Sequence, residues 1–328
     1  MGESVGNTLA PLNSEQVLAC IPELNHLDVE ISSISFSPLI DSSDIMPENW
    51  VNICEIIEKN YYKYDGFVVL HGTDTMSYSA SAVSFMLENL SKPVIFTGSQ
   101  LPVGVFRSDA KENLITAIEI AAAKDDNGKA MIQEVCLYFE DQLFRGNRTT
   151  KRNAEEFDAF TSFNYHPLAK VGVHIKYFPK YCHFNTENLP LKISKKIDNN
   201  IAILKLFPGI NKNVLESVLN IKNLKAVVIE TYGAGNASSC DWLKELLNSA
   251  NERGIILFSV TQCRAGSVEM GRYETSVNLL EAGVLSGYDI TTEAAVTKLM
   301  FLLGKYSDIK EIKRYLTIPL CGEMNVYK

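Results

Sequence analysis

The sequence lacks the features that mark several protein classes. Its 328 residues carry no basic cluster, and a net charge of −8 argues against nucleic acid as a partner. No apolar run approaches the roughly 18 residues of a membrane span, and no basic start precedes an apolar stretch. A phosphate-binding loop of the Gly-x-x-x-x-Gly-Lys type is also missing. These absences favour a protein that binds neither nucleic acid nor a membrane.

The cysteines give no sign of a disulfide framework or a metal site. There are seven, an odd number, and they form no Cys-x-x-Cys pair and no Cys/His cluster with zinc spacing. We therefore expect reduced core thiols, no metal ion and no cofactor, in a cytoplasmic protein. A composition of 46% hydrophobic and 21% charged residues is typical of globular domains, and the length fits one large or two ordinary domains.

One stretch organises the chain, and it reads as a strand, a polar turn and a helix. Phe67–Leu70 is a short β-prone apolar run, which suits a parallel strand covered on both faces. Gly72 and the polar residues 73–75 follow it, and a helical period begins at Ser77. The polar residues of this turn could have a purely structural role as the N-cap of the helix. Because ligands sit at the carboxyl ends of strands in open α/β sheets, a binding site is the alternative.

Alternating strand and helix patterns continue along the chain and predict an α/β fold with a mostly parallel sheet in a larger N-terminal domain, plus a smaller α/β domain. Residues 176–200 hold two prolines and no sustained period, which is typical of a linker. The predicted boundaries are an N-terminal domain at 1–178, a linker at 179–199 and a C-terminal domain at 200–328. The predicted strands are 67–70, 93–97, 135–139, 201–207, 226–229 and 255–260.

Three local patterns give further expectations. Val29–Phe36 alternates as a strand with a bulge does, and residues 1–11 read as a loop. Asp109, with Glu112 three residues later, resembles a capping box at the start of a helix. Gly254 and Gly304 follow helical runs, where C-cap glycines belong.

Three polar groups follow predicted strands and together could hold a small zwitterion. They are residues 41–44 (Asp-Ser-Ser-Asp), the pair Thr73 and Asp74, and the loop that carries Lys151. Hydroxyl and backbone donors suit a carboxylate, and acidic groups suit an ammonium. The set also suits attack by a hydroxyl, since a desolvated Lys can act as its base. His71 is a lone histidine in a strand, which is more often a satisfied core group than a ligand.

The string His71-Gly72-Thr73-Asp74-Thr75-Met76 resembles the signature of the bacterial-type, cytosolic (type I) L-asparaginases. The string Asn147-Arg148-Thr149-Thr150-Lys151 and the Asp41-Ser42-Ser43 turn extend the resemblance, which runs from about Met1 to Gly322. It implies an amidohydrolase that converts L-asparagine to L-aspartate and ammonia through a threonine acyl-enzyme. It also implies the site residues: Thr73, Asp74 and Lys151 as a catalytic relay, with Asp41, Ser42, Ser43, Thr73 and Asp74 binding the substrate.

The resemblance implies an assembly as well. The family folds as a larger N-terminal and a smaller C-terminal α/β domain, and it forms tetramers built from intimate dimers, so we expect a homodimer or homotetramer. The segment that ends in Asn236 is similar to one that reaches a neighbouring subunit's active site. Thr97-Gly98-Ser99-Gln100 would complete the wall of the substrate pocket.

The sequence departs from the family pattern in two places. The family begins with a strand and Thr-Gly-Gly-Thr-Ile-Gly, whose second Thr is the first nucleophile, and this motif does not occur here. Some members have an allosteric asparagine site with an Arg where this chain has Glu230, beside Thr261, Gln262 and Cys263. A glutamate there would repel a carboxylate that arginine would bind, so we expect a degenerate site.

Two hypotheses remain open. The first is an asparaginase whose N-terminal strand is missing from this sequence, and the second is a non-catalytic relative that binds an amino acid or only assembles. The family's first strand would bury about five apolar side chains, worth on the order of 10 kcal/mol. A relative that had lost such a strand should show compensation, and residues 1–25 offer none. We therefore expect a truncated N-terminus and doubt the activity of the chain as written.

Overall fold

Two α/β units form the part of the chain that the computed structural model describes, residues 12–271 and 274–326. The first unit runs to Ser162 and includes His166–Ile193; the second holds Phe163–Tyr165 and continues from Ser194. This confirms the α/β fold class, while the domain limits at 178 and 200 stay a prediction. Within these described ranges, no helix is long and apolar enough to cross a membrane. The loop expected at residues 1–11 lies outside the described residues.

The first unit is built on a mixed sheet and two small ladders. Its strands are β1 (Phe67–Leu70), β2 (Leu87–Glu88), β3 (Val94–Thr97), β4 (Val135–Phe139), β5 (Gln142–Arg145), β6 (Thr150–Lys151), β7 (Phe160–Thr161), β8 (Ala169–Val171), β9 (Ile175–Tyr177) and β10 (Lys192–Ile193). The order in the main sheet is β1-β3-β4-β5-β8-β9. Strand β1 pairs in parallel with β3, and β3 with β4; the remaining pairings, β4 to β5, β5 to β8 and β8 to β9, are antiparallel. The two small ladders join β2 to β10 and β6 to β7.

The helices of the first unit follow from local sequence signals. α1 (Ser14–Ala19) begins at Asn13, whose side chain accepts from the Gln16 amide in a capping box. α2 (Pro47–Asn60) has proline in its first turn, where the missing N–H costs no hydrogen bond. α3 (Met76–Met86) is buried along its length, and α4 (Ala110–Ala122) packs on β1 and β3.

Two local predictions in this unit are wrong. Residues 29–36 form no strand, although their side chains alternate. Asp109 lies at the N-cap of α4 but makes no capping bond. Its carboxylate accepts instead from the backbone amides of Gln100 and Leu101 and from the Asn113 side chain. Asp109 therefore holds the loop after β3 rather than the first turn of its own helix.

The second unit is a parallel sheet in the order β11-β12-β13-β14 with helices between the strands. Apolar side chains of β11, β12 and β13 pack with those of the helices in one core, which includes Leu204, Val227, Leu247 and Leu257. The elements are β11 (Ile201–Lys205), α5 (Lys212–Leu219), β12 (Ala226–Thr231), α6 (Asp241–Glu252), β13 (Ile256–Thr261), α7 (Glu274–Glu281), β14 (Leu285–Ser286), α8 (Thr292–Lys305) and α9 (Ile309–Leu316).

The two glycines that the sequence assigned to helix ends have different roles. Gly254 follows α6 with a φ of +87°, the left-handed conformation of a helix terminus, so this prediction is confirmed. Gly304 lies inside α8, so its assignment as a C-cap is wrong. A Cβ at Gly304 would lie 2.3 Å from the Lys196 carbonyl oxygen. Gly304 is therefore suited to a close approach between backbones.

Candidate active site

The turn between β1 and α3 carries the residues that the sequence singled out. The strand ends at Leu70 and the helix begins at Met76, so residues 71–75 lie at the carboxyl end of a parallel strand. Gly72 packs against Ser42 so closely that a Cβ would lie 2.4 Å from the Ser42 Oγ. The Thr75 hydroxyl also donates to the Ser42 carbonyl oxygen at 2.6 Å. These contacts bring residues 41–44 and 71–75 together.

Thr73, Asp74 and Lys151 meet in one cluster. The Lys151 Nζ donates to Thr73 Oγ1 at 2.7 Å and to Asp74 Oδ1 at 2.8 Å. Thr73 is buried, the Lys151 side chain is 18% exposed and the Asp74 side chain is 62% exposed. The cluster therefore places a hydroxyl, an amine and a carboxylate within hydrogen-bond distance, with the carboxylate towards solvent.

The segment that carries Lys151 has more secondary structure than the loop expected from the sequence. Arg145 is buried in β5 and forms an ion pair with Glu134, with 2.5 Å between Nε and Oε2. A short 3₁₀ turn, Gly146–Arg148, leads to β6, where Lys151 pairs with Phe160 of β7. The Thr149 hydroxyl donates to the Gly146 carbonyl oxygen at 2.7 Å, which closes this turn. The expected loop is thus a buried turn followed by a short strand.

The Asp41-Ser42-Ser43 turn lies against Gly72 and Thr75, on either side of Thr73 and Asp74 in the chain. The Asp41 carboxylate accepts from the Ser43 amide at 2.9 Å and from its hydroxyl at 2.8 Å, and these bonds lower the pKa of Asp41. Ser42 is buried, and its Oγ has no hydrogen-bond partner among the described residues. A buried hydroxyl without a partner is costly, so Ser42 has donor and acceptor capacity for a ligand.

Gln100 has a contact that the sequence did not reveal. The Thr73 hydroxyl donates to Gln100 Oε1 at 3.1 Å, and Gln100 Nε2 donates to the Glu156 carbonyl oxygen at 3.1 Å. The second bond fixes the orientation of the amide group, since a carbonyl accepts only from the nitrogen. The sequence placed Gln100 in the pocket wall. Asp109, which the sequence assigned to a helix cap, holds Gln100 in place by accepting from its backbone amide.

Comparison with known proteins identifies the family. Residues 1–182 match the family "Asparaginase, N-terminal", and residues 200–316 match "Glutaminase/Asparaginase C-terminal domain". The chain belongs to the asparaginase family. This confirms the resemblance on which the site residues were assigned.

Several relatives are about 40% identical to this asparaginase-family chain. L-asparaginase 1 of Escherichia coli K12 is 42% identical over 316 residues, which cover 94% of this chain and 90% of that protein. The human 60 kDa lysophospholipase is 40% identical over 312 residues, 95% of this chain and 53% of that protein. The crystal structure of L-asparaginase I from Vibrio cholerae has a TM-score of 0.86 at 41% identity, covering 95% of this chain and 92% of that one.

The remaining predicted residues of this asparaginase-family chain lie in the second unit. Asn236 closes a tight turn through backbone bonds with Tyr232, and its Oδ1 accepts from the Thr275 hydroxyl at 2.9 Å. This bond commits the Asn236 oxygen within the chain. A contact of Asn236 with a neighbouring subunit stays a prediction.

Glu230 and its neighbours form a group of satisfied polar residues. Glu230 accepts from the Thr292 hydroxyl at 3.0 Å, and Lys205 lies 3.2 Å from its other oxygen. Gln262 donates to the carbonyl oxygens of Leu206 and Glu230, and the Thr261 hydroxyl accepts from the Cys263 amide. Lys205 offsets part of the Glu230 charge. The donors of Gln262 are nevertheless committed to backbone, which leaves fewer groups for an effector.

Proposed function

We propose that this protein hydrolyses L-asparagine to L-aspartate and ammonia, and that the 328 residues need the family's Thr-Gly-Gly-Thr strand in order to do so. The observation that carries the proposal is the Lys151 ammonium, which bridges the Thr73 hydroxyl and the Asp74 carboxylate at 2.7 and 2.8 Å. Two similar proteins, from Escherichia coli and Vibrio cholerae, are named L-asparaginases. The human lysophospholipase is nearly twice as long as the matched region, so its named activity is not carried over.

The cluster divides into groups for binding and groups for proton transfer. Asp74 is 62% exposed and binds the substrate ammonium. Ser42 binds the substrate carboxylate through its unpaired hydroxyl, and Asp41 and Ser43 complete the turn that holds it. Thr73 and Lys151 serve the chemistry. Lys151 donates to Thr73 in this arrangement, so it must lose a proton before it can act as a general base.

The reaction has two balanced steps. A threonine hydroxyl attacks the side-chain amide carbon, the C–N bond breaks, and ammonia leaves with the hydroxyl's proton. Water then attacks the ester, the bond to threonine breaks, and L-aspartate is released. In the family scheme, Thr73 and Lys151 activate the water, and the first nucleophile lies on the Thr-Gly-Gly-Thr strand.

The first unit offers a place for such a strand. Among the described residues, β1 pairs with one strand only, β3. A cavity of about 1100 Å³ lies along β1 and is lined by apolar residues of α2 and α4, including Ile53, Ile57, Leu114 and Ile118. The unpaired backbone groups of β1 are therefore able to accept a further strand.

The test is to express two proteins side by side: the 328-residue chain, and the same chain preceded by about 16 residues of the family pattern, sufficient for one strand of typical length. We expect ammonia release from the extended protein, and both lower solubility and no release from the 328-residue chain. Robust turnover by the 328-residue chain would mean that Thr73 or another hydroxyl attacks alone. An extended, soluble protein that binds L-aspartate but releases no ammonia would support a non-catalytic amino-acid-binding relative.

We also propose an oligomeric state and a cellular location for the protein. The protein is a cytoplasmic homodimer or homotetramer in which the segment ending in Asn236 approaches a neighbouring site. Light scattering after size-exclusion chromatography measures the mass of the assembly. A monomer with full activity would contradict the role of Asn236 in a neighbouring subunit's site.

A further inference from the structure

The imidazole of His71 lies between a backbone carbonyl and a buried hydroxyl. Its Nδ1 is 2.7 Å from the Gly72 carbonyl oxygen, and its Nε2 is 2.8 Å from the Ser79 Oγ. The Ser79 Oγ also accepts from the Trp50 indole N–H at 2.9 Å. Trp50 and Ser79 are both buried. The chain from Trp50 through Ser79 to His71 thus ends at the carbonyl that precedes Thr73.

These partners determine the tautomer of His71. A carbonyl only accepts, so Nδ1 must carry the proton that binds Gly72. The indole N–H only donates, so the Ser79 hydroxyl accepts from Trp50 and gives its own proton to Nε2. Burial lowers the pKa of His71, which favours the neutral ring that this pattern requires.

The carbonyl that His71 binds belongs to the peptide plane that joins Gly72 to Thr73. Because that plane is rigid, the direction of the Gly72 carbonyl sets the direction of the Thr73 N–H and the position of the Thr73 Cα, from which its side chain starts. Gly72 cannot supply this restraint itself, since it has no side chain and wide backbone freedom. Ser42 lies against the Cα of Gly72, whereas the hydrogen bond to the Gly72 carbonyl comes from His71.

We propose that His71, held as the Nδ1–H tautomer by Ser79 and Trp50, is a positioning residue that orients the Gly72–Thr73 peptide and so sets Thr73 Oγ1 against Lys151. This role deepens the proposed hydrolysis and rests on it. It does not make His71 a catalytic residue, because the ring reaches the reacting groups only through the backbone.

Two amide substitutions separate positioning from mere filling of space. In His71→Asn the side-chain nitrogen occupies the place of Nδ1 and keeps the bond to the Gly72 carbonyl. In His71→Gln the amide occupies the place of Nε2 and keeps the link to Ser79 while the bond to Gly72 is lost. His174 lies exposed between β8 and β9, so His174→Gln is the matched control for loss of an imidazole.

The kinetic readout uses the protein that releases ammonia in the experiment above. We expect His71→Gln to lower kcat about three- to tenfold with KM within about twofold, the effect of one neutral hydrogen bond. His71→Asn should retain most of kcat, and His174→Gln should equal the parent. Equal losses in the Asn and Gln variants, with equal melting temperatures, would overturn the proposal.

Two further measurements keep the inference testable if hydrolysis itself is disproved. Nitrogen NMR of histidine-labelled protein, with His71 assigned by its absence in His71→Asn, should show the proton on Nδ1. Hydrogen exchange at the Thr73 amide should be faster in His71→Gln than in His71→Asn. A proton on Nε2, or equal exchange in the two variants, refutes the positioning role, whereas failure of hydrolysis alone refutes the proposed function.

Discussion

Replacement of Lys151 by Met separates the chemistry of the site from its stability. The side chain donates to Thr73 at 2.7 Å and to Asp74 at 2.8 Å. Asp74 is 62% exposed, so loss of the ammonium leaves no buried unpaired charge. Ion pairs this exposed contribute about 0–1 kcal/mol to the free energy of unfolding. Loss of a general base, in contrast, lowers a rate by roughly 10²–10⁴-fold, or roughly 3–5 kcal/mol of activation free energy.

The assay compares Lys151→Met with Asp74→Ala in the protein that releases ammonia. Lys151→Met should lose most of kcat, bind L-aspartate almost as the parent does in calorimetry, and melt within a few degrees of it. Asp74→Ala should bind L-aspartate roughly ten- to hundredfold more weakly, because it removes a hydrogen bond between charged groups. If both variants lose affinity equally, the division between proton transfer at Lys151 and ammonium binding at Asp74 is refuted.

Four further predictions concern the metal requirement, regulation, stability and pH. Hydrolysis should persist in EDTA, because the described residues contain no group of three side chains able to hold a metal ion; loss in EDTA with recovery on zinc addition would contradict this. Asparagine should give hyperbolic rate curves, because Glu230 stands where a carboxylate-binding Arg is expected and Gln262 is committed to backbone; a sigmoidal curve that Glu230→Ala makes hyperbolic would disprove it. Lys298→Met should lower the free energy of unfolding by about 3–5 kcal/mol in a urea titration, because it removes the ammonium that lies 2.7 Å from the buried Glu323 carboxylate. Lys244→Met removes the partner of Glu281 in a more exposed pair and should lower it by under about 1 kcal/mol in the same titration. Burial lowers the pKa of His71 below its ordinary value of 6.5, so below that pH the unfolded chain binds a proton that the folded chain does not. The free energy of unfolding should therefore fall as the pH drops below 6.5, and urea titrations should show a shallower fall for His71→Asn.

Local signals predicted the part of the site that lies within one stretch of chain. The run Phe67–Leu70, the polar turn and the helical period that follows specify β1 and α3 within a few residues. The alternation over 29–36 has the same local appearance but forms no strand. Alternation describes a segment alone, whereas a strand is stabilised by its pairing with a neighbour. A periodic pattern gives the conformation that a segment favours and leaves its partner unspecified.

The contacts between distant segments were beyond local pattern. Lys151 lies 77 residues from Asp74 along the chain, and the resemblance to asparaginases, rather than any spacing, brought the two together. Asp109 shows the same limit. A carboxylate three residues before a glutamate predicts a helix cap, but the Asp109 carboxylate accepts from the backbone amides of Gln100 and Leu101 instead. Such competition depends on tertiary distances that the sequence does not contain.

The relative positions of the Ser42 turn and Thr73 depend on backbone packing around Gly72. On one side Ser42 approaches so closely that a side chain at 72 would collide with it, which places the Asp41-Ser42-Ser43 turn against the turn of Thr73. At its carbonyl, the His71 ring restrains the peptide that leads into Thr73. Gly72, which has no side chain, is therefore the residue of the His-Gly-Thr-Asp-Thr string where the Ser42 turn, the His71 ring and the start of Thr73 meet. A glycine is required there because the three can converge only where no side chain intervenes.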